Sequence, residues 1–142
     1  MAYRVLAAGD QFWRRSNQMG VLNTDLAKQL GAEKVSSRLW RIEPGQASTK
    51  HRHRTQEELY VLLEGHGRAR VDGELLDFEV GDALCIEPDT IRQLFNDTDA
   101  DQLWLVFGAP PESVSSTLEM TEDDLEFMYP DGPKALPPEL DP

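Results

Sequence analysis

Residues 50–65, KHRHRTQEELYVLLEG, place two histidines one position apart, then two acids, then an apolar run that ends in a glycine. Side chains two positions apart project from one face of a strand, so His51 and His53 can reach one ion. The run that begins at Glu57 and Glu58 can turn back beside the histidines and bring them a carboxylate oxygen. A solvated strand face would carry the same histidine pair, so the triplet alone leaves both interpretations open.

The proposed ligand set indicates which metals would bind. Two neutral imidazoles and one carboxylate suit Fe, Mn, Ni, Zn or Cu better than Ca or Mg, which prefer oxygen ligands alone. The expected cofactor is therefore a divalent transition metal of undetermined identity.

Charge and composition exclude several classes of function. The 142 residues carry 26 acidic and 14 basic side chains, a formal net charge of -12, without a Lys/Arg-rich block. Neither nucleic acid nor an anionic membrane is an expected partner. One cysteine, Cys85, allows no internal disulfide, and its strand-like surroundings predict a buried thiol. The N-terminus lacks the pattern of a signal peptide, which favours a cytoplasmic location.

Short apolar runs separated by turn signals begin near Val35 and predict an antiparallel sandwich or small barrel. The runs are VSSRLWRI, ELYVLL, RARV, ELLDFEV, ALCI, RQLF and QLWLVFG. Asp72-Gly73 predicts a tight hairpin between the third and fourth runs, because both residues tolerate positive φ.

The chain is expected to form one structural domain in three parts. Residues 1–34 would form an irregular arm and a short helix, residues 35–109 the β-barrel, and residues 110–142 a C-terminal extension with a short helix and a Pro-rich tail that can dock on the barrel.

The ends of both helices are marked by capping residues. Thr24 is the expected N-cap of DLAKQL, and Gly31 suits the left-handed position that ends it. Thr121 and Asp124 have the spacing of a capping box at the start of EDDLEFM.

The spacing of the opening stretch resembles the first cupin motif. Gly45 is followed after five residues by His51-Arg52-His53, after four more by Glu58, and after six more by Gly65. Residues 81–96, GDALCIEPDTIRQLFN, have the length of the second cupin motif. The resemblance covers about residues 35–108 and implies an all-β, double-stranded β-helix (jelly-roll) barrel with metal and substrate in its mouth. Similar cupins carry out dioxygenase and isomerase chemistry.

The second motif departs from the family pattern at its ligand. The usual fourth ligand, a histidine, would fall at Arg92, whose guanidinium has no lone pair to donate. Arg92 could pair with Glu58 inside the barrel and replace the metal, or it could clamp an anionic ligand beside the metal. A register shift of one residue would instead turn it outward into a surface ion pair.

The leading hypothesis is a cytoplasmic cupin that binds one divalent transition metal and a small-molecule ligand, as a homodimer. The alternative is a metal-free module that binds a small anion through Arg92, and a purely structural barrel would leave the motif spacing as coincidence. Tyr60 shares the strand face of Glu58 and is expected to line the cavity. The candidate metal ligands are His51, His53 and Glu58, and the candidate ligand-binding residues are Arg92, Tyr60 and Glu57.

Overall fold

The computed structural model of the chain describes residues 2–112 and 119–142. Their regular elements are mostly strands. The strands are β1 (Arg14–Arg15), β2 (Leu22–Asp25), β3 (Ser36–Ile42), β4 (Glu57–Glu64), β5 (Gly67–Val71), β6 (Glu74–Phe78), β7 (Ala83–Ile86), β8 (Arg92–Phe95) and β9 (Gln102–Ala109). Two short α-helices, α1 (Leu26–Leu30) and α2 (Glu122–Met128), and one 3₁₀ turn (Ala8–Asp10) complete them.

The strands form two antiparallel sheets that enclose the core. One sheet has six strands in the order β1-β2-β3-β9-β4-β7, and the other has three in the order β6-β5-β8. Strand β9 alternates buried and partly exposed residues, so one of its faces lines the interior. Trp104 is the largest side chain of that interior, and its indole packs edge-on against Phe78 and Tyr60 at ring-centroid distances of 5.4 and 6.4 Å.

The expected all-β architecture is confirmed, and each run predicted as a strand forms one. The predicted hairpin is also present: Arg70 pairs with Leu75 and Val71 with Glu74, around Asp72 and Gly73 at φ of 48° and 83°. The prediction for the thiol is wrong. Cys85 is exposed, because in β7 it lies on the face that points away from the core.

The N-terminal arm is more regular than expected. Strand β2 extends the six-stranded sheet by pairing with β3, and β1 pairs with β2. Thr24 therefore belongs to a strand, and Asp25 is the N-cap of α1, where its side chain accepts a hydrogen bond from the amide of Lys28. Gly31 ends the helix in the left-handed conformation, as expected.

The C-terminal segment, residues 119–142, docks on the barrel. Thr121 and Asp124 form the predicted capping box of α2. Gln93 of β8 donates a hydrogen bond to the carbonyl of Ala135, and Arg70 of β5 forms an ion pair with Glu139. Among the described residues, no helix has the length and apolarity needed to cross a bilayer.

Gly65, the last glycine of the first motif, offers a test of the fold. Its φ is 83°, and a Cβ added there would lie 2.2 Å from the carbonyl oxygen of Asp101, inside van der Waals contact. We expect Gly65→Ala to lower the free energy of unfolding by about 2–4 kcal/mol, because backbone strain and a steric clash add. Urea unfolding followed by tryptophan fluorescence would measure the loss.

Gly73 provides the matched control for that substitution. It has the same φ of 83°, but nothing lies within 4 Å of an added Cβ. Gly73→Ala should therefore cost only about 1 kcal/mol, the conformational part alone. Equal losses for the two variants would contradict the close approach at Gly65.

Candidate functional site

The backbone places His51 directly opposite Arg92. The amide of His51 donates to the carbonyl of Arg92 at 3.0 Å, and the amide of Arg92 donates back to His51 at 2.9 Å. Two residues that exchange both hydrogen bonds across an antiparallel pair present their side chains on the same face. The imidazole of His51 and the side chain of Arg92 therefore enter the barrel together.

Glu58 reaches the same point from the opposite sheet. It lies in β4, where it pairs with Ile86 of β7 and Gly108 of β9. The sequence suggested that this strand would run beside the histidine segment. The structure instead pairs the histidine segment with β8, so the carboxylate meets the imidazoles across the interior of the barrel.

The three predicted metal ligands converge. One nitrogen from each of His51 and His53 and one oxygen of Glu58 all lie within 4.8 Å of one another. Nε2 of His53 is 3.3 Å from Oε1 of Glu58, and the two imidazole rings lie edge to face at 5.0 Å. Atoms bound to one ion at about 2.1 Å stand about 3–4 Å apart, so a small inward shift would satisfy a metal.

Arg92 points inward and forms a buried ion pair with Glu58. Its side chain is 1% exposed, and each guanidinium nitrogen has a partner. Nη2 donates to Oε1 of Glu58, Nε donates to the hydroxyl of Tyr60 at 3.2 Å, and Nη1 donates to the carbonyl of Thr90 at 2.8 Å. The reading that turned Arg92 outward into a surface ion pair is wrong, because the pairing with His51 fixes the register of β8.

Tyr60 links the two charges of this pair. Its hydroxyl donates to Oε1 of Glu58 at 2.9 Å while it accepts from Arg92. The contacts that described residues make with Glu58, from Tyr60, Arg92 and His53, all fall on Oε1. The second oxygen, Oε2, is therefore the one that a metal or a ligand could take.

The protonation states follow from burial and these neighbours. Burial alone would raise the pKa of Glu58, but the His53 contact and the charge of Arg92 lower it well below its usual value. Burial opposes the charge of Arg92, yet Tyr60 and Glu58 raise its pKa. Burial and the Glu58 carboxylate also raise the pKa of Tyr60, so the phenol stays protonated. The pair is ionised at neutral pH, with Tyr60 as a hydrogen-bond donor.

His51 is held as a neutral imidazole. Burial, followed by the charge of Arg92, lowers the pKa of His51 to about 3. Its Nδ1 lies 3.0 Å from the carbonyl oxygen of Thr49, an atom that can only accept. The hydrogen of the neutral ring is therefore on Nδ1, and the lone pair of Nε2 is free for a metal.

The structure also places residues that the sequence misjudged or missed. Glu57 is exposed on the opposite face of β4 and does not join the group, as strand alternation requires. Glu112 was not foreseen, yet its Oε1 lies 3.1 Å from Nδ1 of His53. Glu112 follows the strands after a Pro-Pro pair, and no periodicity in the sequence points to it.

Comparison with known proteins gives the same architecture. A protein of Methanocaldococcus jannaschii described as uncharacterized is 33% identical over 76 residues, which span 54% of this chain and 61% of that relative, less than two thirds of its length. A sugar phosphate isomerase of the cupin superfamily from Silicibacter pomeroyi superposes with a TM-score of 0.69, at 25% identity and 76% coverage of each chain. A predicted oxalate decarboxylase of Thermotoga maritima gives a TM-score of 0.67 at 18% identity, covering 76% of this chain and 100% of that one, a likeness of fold alone.

A family model matches the barrel itself. The model for the cupin domain aligns with residues 38–108, half of the chain. This range contains both sequence motifs and both residues of the buried ion pair, Glu58 and Arg92. The chain belongs to the cupin family.

Proposed function

We propose that this cupin binds one divalent transition metal ion through Nε2 of His51, Nε2 of His53 and the carboxylate of Glu58, and that it presents the ion to a small anionic molecule. The observation that carries the proposal is the convergence of the three ligand atoms within 4.8 Å. A bound ion of this kind would supply Lewis acidity to an oxygen of the ligand.

The donor set fits such an ion in chemistry as well as in position. His51 is neutral and keeps its Nε2 lone pair. Glu58 is ionised, and its contacts with Tyr60, Arg92 and His53 use Oε1 and not Oε2. Two nitrogens and one oxygen leave coordination positions open, as in the two-histidine, one-carboxylate sites of non-haem metals. A ligand could therefore bind directly to the ion.

The charge of the site favours an anion as that ligand. Arg92 remains positive beside the three candidate ligands, so a divalent ion would leave an excess of positive charge in the interior of the barrel. Sugar phosphates, on which the Silicibacter pomeroyi neighbour is described as acting, are small anions of this kind. Carboxylates would satisfy the same requirement, and Arg92 would attract either through its charge, because its guanidinium is already bonded to Glu58, Tyr60 and Thr90.

A metal-free anion site is the second candidate. The observation that favours it is the ion pair between Arg92 and Glu58, which gives the carboxylate a cation without any metal. In that case the histidines would act as hydrogen-bond donors to the anion, which requires His51 to carry a hydrogen on Nε2 as well as on Nδ1. Phosphate or a carboxylate would then raise the melting temperature, and chelators would have no effect.

Metal analysis tests the first proposal directly. We expect protein purified without added ions, then titrated with Ni²⁺ or Co²⁺ in a calorimeter, to bind about one equivalent. Loss of a residue that only supports a ligand commonly weakens metal binding about 10–100-fold. His51→Ala should weaken binding by more than this, because it removes a ligand itself. His66→Ala is the control, since His66 is an exposed turn residue whose ring contacts Asp77. Binding below about a tenth of an equivalent, unchanged in His51→Ala, would refute the metal site.

Replacement of Arg92 separates the two candidates. We expect Arg92→His to tighten metal binding, because it frees Glu58 from its ion pair and offers an imidazole where cupins usually have one. The metal-free protein should lose about 3–5 kcal/mol of stability, since a buried carboxylate is left without its cation. Isothermal titration and urea unfolding measure the two effects.

Arg92→Gln is the matched variant for that experiment. It removes the same charge without adding a ligand, so a larger gain in metal affinity for the histidine variant identifies ligation as the cause. If both variants bind metal no better than the wild type and both abolish stabilisation by phosphate, the anion site is the correct reading.

We also propose that the chain forms a homodimer through the outer face of the six-stranded sheet. Leu39, Leu105 and Val61 are paired across β3, β9 and β4 on that face, and Leu59 beside them is 37% exposed. A net charge of -12 on each copy opposes association, so two copies are best joined at a cluster of apolar side chains such as this one.

Light scattering tests the dimer. At micromolar concentration we expect a mass twice the 16.0 kDa of the chain. Leu105→Lys should yield a monomer, because it places a charge at the centre of the contact. Leu75→Lys, at an exposed leucine of the three-stranded sheet, should leave the dimer intact. A wild-type mass of one chain would rule out the dimer.

A further inference from the structure

Glu112 lies beside the edge of the His53 ring that points away from the predicted metal position. It follows β9 after Pro110 and Pro111, and its side chain is only 15% exposed. Its Oε1 is 3.1 Å from Nδ1 of His53, while Nε2 of the same ring faces Oε1 of Glu58 at 3.3 Å. The imidazole of His53 is thus placed between two carboxylates.

Both atoms of this contact are buried, and neither has a hydrogen-bond partner among the described residues. They lie at hydrogen-bonding distance but are not aligned for a hydrogen bond. Each unpaired buried polar atom costs about 1–3 kcal/mol. A hydrogen bond between the two atoms would satisfy both, and their distance of 3.1 Å permits one.

We propose that Glu112 is a positioning residue for His53. Its carboxylate accepts the hydrogen of Nδ1 and so directs the lone pair of Nε2 toward His51 and Glu58. The inference rests on the metal site proposed above. Metal-binding histidines commonly donate their second ring N–H to a carboxylate or a carbonyl, which fixes the tautomer and strengthens the ligand.

His51 shows the same arrangement with a different acceptor. Its Nδ1 faces the carbonyl oxygen of Thr49 at 3.0 Å, where His53 has the carboxylate of Glu112. Each of the two imidazoles therefore has an acceptor behind it, and each presents Nε2 to the centre. An array of two histidines on a solvated strand would not require acceptors buried behind both rings.

The carboxylate of Glu112 also brings a negative charge, which the carbonyl of Thr49 does not. Arg92 brings one positive charge to a place where cupins usually have a neutral ligand. A second carboxylate close to the ligands offsets that charge and lowers the electrostatic cost of admitting a divalent ion. Of the acidic residues that the structure describes, Glu58 and Glu112 both contact His53.

Substitution of Glu112 tests the proposal through metal affinity. Co²⁺ is titrated into the full chain at fixed pH, with heat and the visible absorption of the bound ion as readouts. We expect Glu112→Gln to weaken binding about 10–100-fold. Glu112→Asp keeps the charge on a shorter side chain, so its affinity should fall between those of the glutamine variant and the wild type. Glu126→Gln removes an acid from the exposed face of α2 and should bind as the wild type does.

The outcomes separate this inference from the proposed function. If the wild type binds Co²⁺ and Glu112→Gln binds it equally well, Glu112 does not position His53, and the metal site stands. If the wild type binds no Co²⁺, both proposals fail together. A structural role alone would lower the melting temperature of the metal-free protein without the graded change in affinity, and that result would also overturn the assignment.

Discussion

The ion pair between Arg92 and Glu58 is the interaction on which the site depends. Taking two charges out of water costs several kcal/mol per ion, and only good geometry with further hydrogen bonds offsets that cost. Here Tyr60 donates to the carboxylate and accepts from the guanidinium, and Thr90 takes a third donor of Arg92. This network holds Glu58 with Oε1 engaged and determines which oxygen remains for an ion or a ligand. It also means that any metal in the barrel must coexist with a fixed positive charge.

The strand pattern and the first motif were predictable because they rest on local rules. Alternation along a strand placed Tyr60 on the face of Glu58, and the structure agrees. The prediction of Glu57 as a ligand-binding residue is wrong, because the same alternation puts it on the opposite face. The hairpin at Asp72-Gly73 follows from a backbone conformation that few residues tolerate, and the capping box at Thr121 follows from side chains that can bond to the first backbone amides of the helix. Each of these conclusions needs only a few neighbouring residues, which is why one sequence was sufficient.

The remaining features depend on long-range pairing that no local rule contains. The direction of Arg92 depended on the register of β8, and the partner that fixes it, His51, is distant in the chain. The strand at Leu22–Asp25 exists because β3 offers it an edge, so the same residues read as an irregular arm in isolation. Glu112 follows the end of β9 at Ala109 after two prolines, and its contact with His53 is a long-range one of the same kind.

The alternation of histidines and cations in KHRHR, residues 50–54, also serves to bind the C-terminal segment. The histidines point into the barrel, while the cations between and beside them bind the segment outside. The amide of Arg52 donates to the carbonyl of Met128, and its Nε donates to the carbonyl of Phe127. The centroid of the Phe127 ring lies 4.1 Å from the guanidinium carbons of both Arg52 and Arg54.

Ion pairs extend the same contact at both ends of residues 50–54. Lys50 reaches Asp131, and Arg54 reaches Asp124, the residue that also closes the capping box of α2. On its inner side the segment is fixed to β8 by the paired backbone of His51 and Arg92. A stretch that has little regular structure of its own is thereby held from two directions. Since side chains of a binding site must be held within about 0.5 Å by their surroundings, the acidic C-terminal segment is part of what keeps the two imidazoles in position.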